Sequence, residues 1–172
     1  TAAFYNCKKL KNITLSRNLP EIIASAFAMC TSLEEITIPD SILTIGNSAF
    51  SGCKLLSSIT IPDSVTEIGF RAFAQCESLK SIVLPKNVTS IQYEIFDRCS
   101  ALESVTFECD LTQIPDQAFY GCTALKNIEL PETVTSLGNE CFHKCTSLES
   151  IAIPEGVTII PNYAFIECSN LS

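Results

Sequence analysis

Any acid–base or metal chemistry in this chain has to pass through a single histidine. His143 sits two places from each of two cysteines, in the run Cys141-Phe142-His143-Lys144-Cys145. Such a spacing of soft and borderline ligands is one that zinc accepts. A catalytic histidine needs a nucleophile or a carboxylate held beside it, and no recurring position of this sequence supplies one. Carboxylates are scattered over variable positions, which gives no paired acid–base site. Cys141, Phe142 and Cys145 all fall at positions that must be buried, so turning both cysteines toward one ion would dismantle the local core. The expectation is no catalytic residue, no metal and no cofactor, with His143 facing solvent or partly packed.

The positions that would have to hold these groups belong to a repeat. Phenylalanine recurs every 23 residues at 4, 27, 50, 73, 96, 119, 142 and 165. Cysteine follows three places later at 7, 30, 53, 76, 99, 122, 145 and 168, and leucine three later again, from Leu10 to Leu171. Within each unit a short segment such as Ser81-Ile82-Val83-Leu84 alternates polar and apolar, the signal of a strand with one buried face. Proline at 39, 62, 85, 131 and 154 ends that strand, because it has no N–H to offer a ladder. A further apolar column runs Ile22, Ile45, Ile68, Ile91, Ile114, Leu137 and Ile160. Gly46, Gly69 and Gly138 share a position that reads as a turn requiring positive φ. The Ala-Phe-x-x-Cys segment places apolar residues three and four apart, which suits about one helical turn. A unit of this size buries too little to stand alone and must stack on its neighbours.

The pattern L-x-x-I-x-[IL]-P-x-x-V-T-x-I-x-x-x-A-F-x-x-C resembles the BspA-like leucine-rich repeat, over the whole chain. The resemblance implies an α/β leucine-rich-repeat solenoid with a parallel sheet on its concave side and short helical turns or irregular segments on its convex side. Residues 1–172 then form one solenoid of about seven and a half repeats, and the sequence reads as an excerpt of a longer protein. It also implies a non-enzymatic module of a secreted or cell-surface protein, of the kind carried by host-associated bacteria, whose partner is a host extracellular-matrix or serum protein.

Composition agrees with part of this. Hydrophobic residues make up 47% of the chain and charged residues 17%, with a net charge of −8, a field that repels phosphate backbones and argues against nucleic acid. Four cations, Lys8, Lys9, Lys11 and Arg17, make one end locally basic. No apolar run reaches the length of a membrane span, and the first residues carry no signal-peptide pattern.

Two surface features are candidate binding sites. The outward strand positions, which would line the concave face, are Glu35 and Thr37, Ser58 and Thr60, Ser81 and Val83, Ser104 and Thr106, and Asn127 and Glu129. They form a small, hydroxylated, nearly neutral stripe suited to a protein partner; plain solvated sheet is the competing reading. An alternative patch joins Phe70, Arg71 and Tyr93. Function therefore divides between a protein-binding adhesion module and a structural spacer displaying another domain, with an accessory region of a surface enzyme as a third possibility.

Three further expectations follow from stacking. The position after the leucine reads Lys11, Glu34, Ser57, Lys80, Glu103, Lys126 and Glu149, which predicts a charge ladder including Lys80–Glu103, Glu103–Lys126 and Lys126–Glu149. The cysteine column is expected as buried free thiols, since in-register side chains point parallel and not at one another. Cys109, where the proline column fails, is expected to be exposed and reactive.

Overall fold

The computed structural model describes residues 2–172. The chain winds into stacked rungs whose strands all pair in parallel, and among the described residues there is no helix. Each rung carries up to two short strands. The first kind comprises β1 (Asn12–Thr14), β3 (Glu35–Thr37), β6 (Ser81–Leu84), β8 (Ser104–Phe107), β10 (Asn127–Ile128) and β12 (Ser150–Ile151). The second comprises β2 (Glu21–Ile22), β4 (Thr44–Ile45), β5 (Glu67–Ile68), β7 (Ser90–Ile91), β9 (Gln113–Ile114) and β11 (Ser136–Leu137). Partners lie 23 residues apart throughout, as in Ile82 opposite Val105 and Ile45 opposite Ile68, so one register error would shift every core column at once.

The first ladder is not one continuous sheet. It forms the pairs β1–β3, β6–β8 and β10–β12, and Ser58–Thr60 runs between them unpaired as a strand. The second ladder runs unbroken through β2, β4, β5 and β7, then resumes as β9–β11. The interruption has a chemical cause. In the regular rungs the residue after the strand donates its N–H to the previous rung: Gly46 to Ile22 O at 2.7 Å, Gly69 to Ile45 O at 2.8 Å, Gly138 to Ile114 O at 2.7 Å. At the equivalent place after β9 stands Pro115, which has no N–H to give to Ile91.

Those glycines have a role other than the one expected of them. None of Gly46, Gly69 and Gly138 has positive φ. A Cβ on Gly46 would come within 2.6 Å of the Ala24 nitrogen, so the glycine column is where adjacent backbones touch.

The expected helical turn is absent for a related reason. Left-handed residues recur in two columns four places apart, running from Ala2 and Asn6 through Arg71 and Gln75 to Tyr163 and Glu167. Fourteen are not glycine and two, Gly52 and Gly121, are. A left-handed residue ends a right-handed turn at once. Ala26 N–H bonds Ile23 O and Cys30 N–H bonds Phe27 O, which are successive tight turns. Alternate N–H groups then point along the stack: Ser25, Phe27 and Met29 donate to Asn47, Ala49 and Ser51 at 2.8, 2.8 and 2.7 Å. This third set of rung-to-rung bonds recurs along the stack and opposes the strain of the left-handed residues.

The core is a set of columns. Phe27, Phe50, Phe73, Phe96, Phe119 and Phe142 are fully buried, and each ring stacks on the next with centroids 5.3–5.9 Å apart. The cysteines beside them are unbridged. From Cys30 to Cys168, each column thiol donates to the phenylalanine carbonyl of the rung before, at 3.0–3.3 Å. Cysteine thus serves as a small hydrophobe that still carries a weak donor.

Candidate functional site

The outward stripe is where alternation places it. In β3 and β6 the burial runs exposed–buried–exposed, with Ile36 and Ile82 inward and Glu35, Thr37, Ser81 and Val83 outward. Ser58, Thr60, Ser104, Thr106, Asn127 and Glu129 are exposed on the same face. Val83 is 43% exposed, a lone apolar side chain amid hydroxyls. The pairing of Val83 with Thr106 and of Ser81 with Ser104 fixes the middle of the stripe as a flat, uncharged surface, with carboxylates only at Glu35 and Glu129.

The expected charge ladder is largely overturned. Lys11 and Glu34 pair at 3.4 Å. Among the described residues no ion pair joins Lys80 to Glu103, Glu103 to Lys126 or Lys126 to Glu149, although the backbone stacks there, with Glu103 N–H to Lys80 O at 2.8 Å. These side chains are fully solvated, and such pairs gain too little to hold two long chains in place. Inter-rung pairs form instead at turns and corners, Lys54–Glu77 and Lys86–Asp63 each at 2.7 Å.

Phe70 and Tyr93 do form a patch, their rings stacked at 5.1 Å, and Tyr93 is 47% exposed. Arg71, however, is engaged: its guanidinium pairs with Glu94 and lies 3.7 Å from Asp97. Asp97 is the one buried charged residue among those described. Burial pushes its carboxyl above the usual range, against the pull of Arg98 and Arg71. From there a polar network runs over the turns. Arg98 and Lys144 sit over opposite approaches to the Tyr120 ring, each 5.6 Å from its centre. His143 lies edge-on to Tyr120 at 4.8 Å, with Glu140 and Glu167 each 3.3 Å from one ring nitrogen.

His143 thus lies between two carboxylates, and among the described residues no hydroxyl or thiol bonds its ring nitrogens. Cys141 and Cys145 are buried, and among the described residues no cluster of ligands could hold a metal ion. Burial drives the column thiols away from thiolate: Cys53 and Cys99 are pushed up to about 12, and Cys76 and Cys122 well above their ordinary value. Cys109 corrects the expectation of a reactive turn. It is 3% exposed, and burial raises its thiol too. Elsewhere the turn closes with a bond such as Val88 N–H to Pro85 O at 3.0 Å; at Glu108–Leu111 that bond is missing and Cys109 turns inward.

One surface escaped the sequence. Beside the interrupted second ladder lies a groove of ≈ 930 Å³, floored by Ile91, Ile114 and Leu137 and walled by Tyr93, Gln113 and Asn139 among others. Its signal in the sequence was Pro115 and Gln92, standing in the column that holds glycine at 46, 69 and 138.

The family model described as a BspA-type leucine-rich repeat region matches residues 1–124 and 90–172, in six copies. A leucine-rich repeat protein from T. pallidum is 35% identical, with a TM-score of 0.77 over 86% of this chain and 69% of its own. A leucine-rich cell surface protein from Faecalibacterium prausnitzii is 29% identical, TM-score 0.66, covering 100% of this chain and 61% of its own. The pneumococcal vaccine antigen PcpA is 28% identical, TM-score 0.73, over 89% of this chain and 42% of its own. Among curated proteins none matches. In sequence columns, parallel rungs and solved relatives alike, the chain belongs to the BspA-type leucine-rich repeat family.

Proposed function

We propose that this chain is a non-enzymatic protein-binding module that adheres to its partner through the outward face of the first ladder. The observation carrying this reading is that all ten stripe residues, Glu35 to Glu129, are exposed side by side on one face. A partner approaching Ser81, Val83, Ser104 and Thr106 displaces water from hydroxyls and one valine, not from ions, so desolvation costs it little. Glu35 and Glu129 flank that centre and set orientation and association rate more than affinity. Leucine-rich repeats of this bacterial surface type are protein-interaction modules, and the names of two relatives, a cell surface protein and a vaccine antigen, point to a secreted or cell-surface setting. The resemblance directs the search toward host extracellular-matrix and serum proteins.

A solid-phase screen against those two protein classes tests the proposal. Thr60→Arg and Thr106→Arg should each weaken binding by about tenfold or more, through clash and an unpaired charge, while Glu132→Arg, on a turn outside the stripe, leaves it unchanged. Loss only on Phe70→Ala and Tyr93→Ala would move the site to the aromatic patch. A failure to bind anything in the screen would return the chain to the role of a rigid spacer.

A further inference from the structure

We infer that the groove beside the interrupted second ladder is a binding site for a short neutral oligosaccharide, separate from the stripe of the first ladder. The groove lies where Pro115 interrupts the second ladder, between β7 and β9. Where the column holds glycine, backbones meet; at Pro115 the residue has no N–H, and the Ile91 carbonyl gets none from the next rung. The opening is ≈ 930 Å³, the upper range of small-ligand clefts. It runs along the solenoid across rungs about 4.8 Å apart, an elongated shape suited to a short chain of sugar rings.

The chemistry of the walls selects the occupant. No lysine, arginine or histidine lines the groove, which disfavours phosphate, sulfate or a uronate. Three carboxylates do line it, yet each already has a donor. Glu94 pairs with Arg71, Glu140 accepts from Gln117 at 3.2 Å, and Asp116 Oδ1 accepts from the Asn139 N–H at 2.7 Å. Only Glu94 has a cationic partner; Asp116 and Glu140 accept from neutral amides and keep their charge, which further disfavours an anionic sugar and makes a cationic peptide the competing occupant that the test must exclude. By contrast, among the described residues no hydrogen bond engages the side-chain amides of Gln92, Gln113, Asn139 or Asn162. An amide offers donor and acceptor together, the pairing that neighbouring hydroxyl groups require. Tyr93 completes the site. One face of its ring is covered by Phe70 at 5.1 Å. Its other side looks along the stack toward the shorter Asp116, leaving a ring face on which the C–H face of a sugar can lie.

Saturation-transfer NMR of the intact chain with neutral trisaccharides of glucose, mannose and N-acetylglucosamine tests this. At least one should bind at millimolar concentration, and sialylated or sulfated analogues should not. Tyr93→Ala should weaken that binding about twofold to twelvefold, the range of one aromatic stack. Gln113→Ala should weaken it as well, with the melting temperature unchanged because Gln113 is exposed and its side chain makes no hydrogen bond. Pro115→Gly should abolish it by restoring the N–H that lets the rungs close. Thr60→Arg must leave it intact, which keeps this site distinguishable from the stripe. The inference is overturned if no neutral trisaccharide binds, if binding survives Tyr93→Ala and Gln113→Ala together, or if an oligolysine peptide occupies the groove while the saccharides do not.

Discussion

Replacing Phe73 by leucine asks whether the solenoid is held together rung by rung. Phe73 has no exposed surface, and its ring stacks on Phe50 at 5.6 Å and on Phe96 at 5.9 Å. Leucine keeps most of the buried apolar area and loses both stacks. At ~0.5–1.5 kcal/mol each, the loss is about 1–3 kcal/mol. Phe96→Leu also forfeits two stacks, to Phe73 and to Phe119 at 5.5 Å, but the Phe73–Phe96 contact is common to both variants. The double variant should therefore cost less than the sum of the singles by about 0.5–1.5 kcal/mol. Phe142 shares no ring contact with Phe73, its stacks being with Phe119 and Phe165, so the Phe73/Phe142 pair should be additive within ~0.5 kcal/mol. Urea unfolding followed by circular dichroism measures the five variants and the parent. Coupling as strong for the distant pair as for the adjacent one would refute nearest-neighbour stability; a Phe73→Leu cost near zero would refute the ring column as core.

Other expectations are equally direct. In the native protein a thiol reagent should modify Cys7, which is exposed, and spare Cys109; denatured protein should yield ten free thiols, and Cys109 reacting as fast as Cys7 would contradict its burial. Gly121→Ala, at φ +70, should destabilise by about 1–2 kcal/mol, whereas Gln75→Gly, at φ 58, should be neutral or stabilising in thermal melts, since glycine removes the left-handed strain that glutamine carries. Asp97 sets a pH dependence. Its folded carboxyl holds its proton more tightly than the unfolded one, so its contribution favours folding at low pH and declines as pH rises from the ordinary aspartate value of 3.8 through the raised one. Asp97→Asn should thus gain stability relative to the parent on going from acid to neutral pH, and a gain in the opposite direction would mean that Arg71 and Arg98 outweigh burial.

What the sequence revealed and what it hid have different physical origins. Phe27 to Phe142, the cysteines beside them and the inward strand residues were legible because burial selects side-chain type, and the 23-residue period records it. The second strand was only half legible: Ile45, Ile68 and Ile91 announced a buried column, but two-residue strands such as β4 and β7 give no alternation to read. The left-handed columns left no trace. Arg71, Glu94 and Glu140 adopt positive φ and donate their N–H groups to the next rung, a backbone conformation that their side chains do not advertise. Gly46 and its equivalents were visible but misread, since close approach and positive φ both call for glycine. Among the candidate sites, the stripe followed from alternation alone. The groove did not, because recognising Pro115 as a missing donor requires knowing which N–H the ladder uses.

The two surfaces also differ in what holds them. The middle of the stripe rests on β6 and β8, four paired residues each, with its outward side chains free of any structural duty. The groove rests on a bond the chain cannot make, and its walls are side chains that the core does not need. In a stack where each rung contacts only its neighbours, outward columns can change without cost to the inward ones, so two recognition surfaces can coexist on one core. That independence has a measurable form. Thr106→Arg should alter protein binding and leave saccharide binding alone, Gln113→Ala should do the reverse, and the double variant should show both losses at full size. A shared loss from either single change would mean that the surfaces communicate through the rung between Thr106 and Gln113, where Cys109 is packed inward and the usual turn is absent.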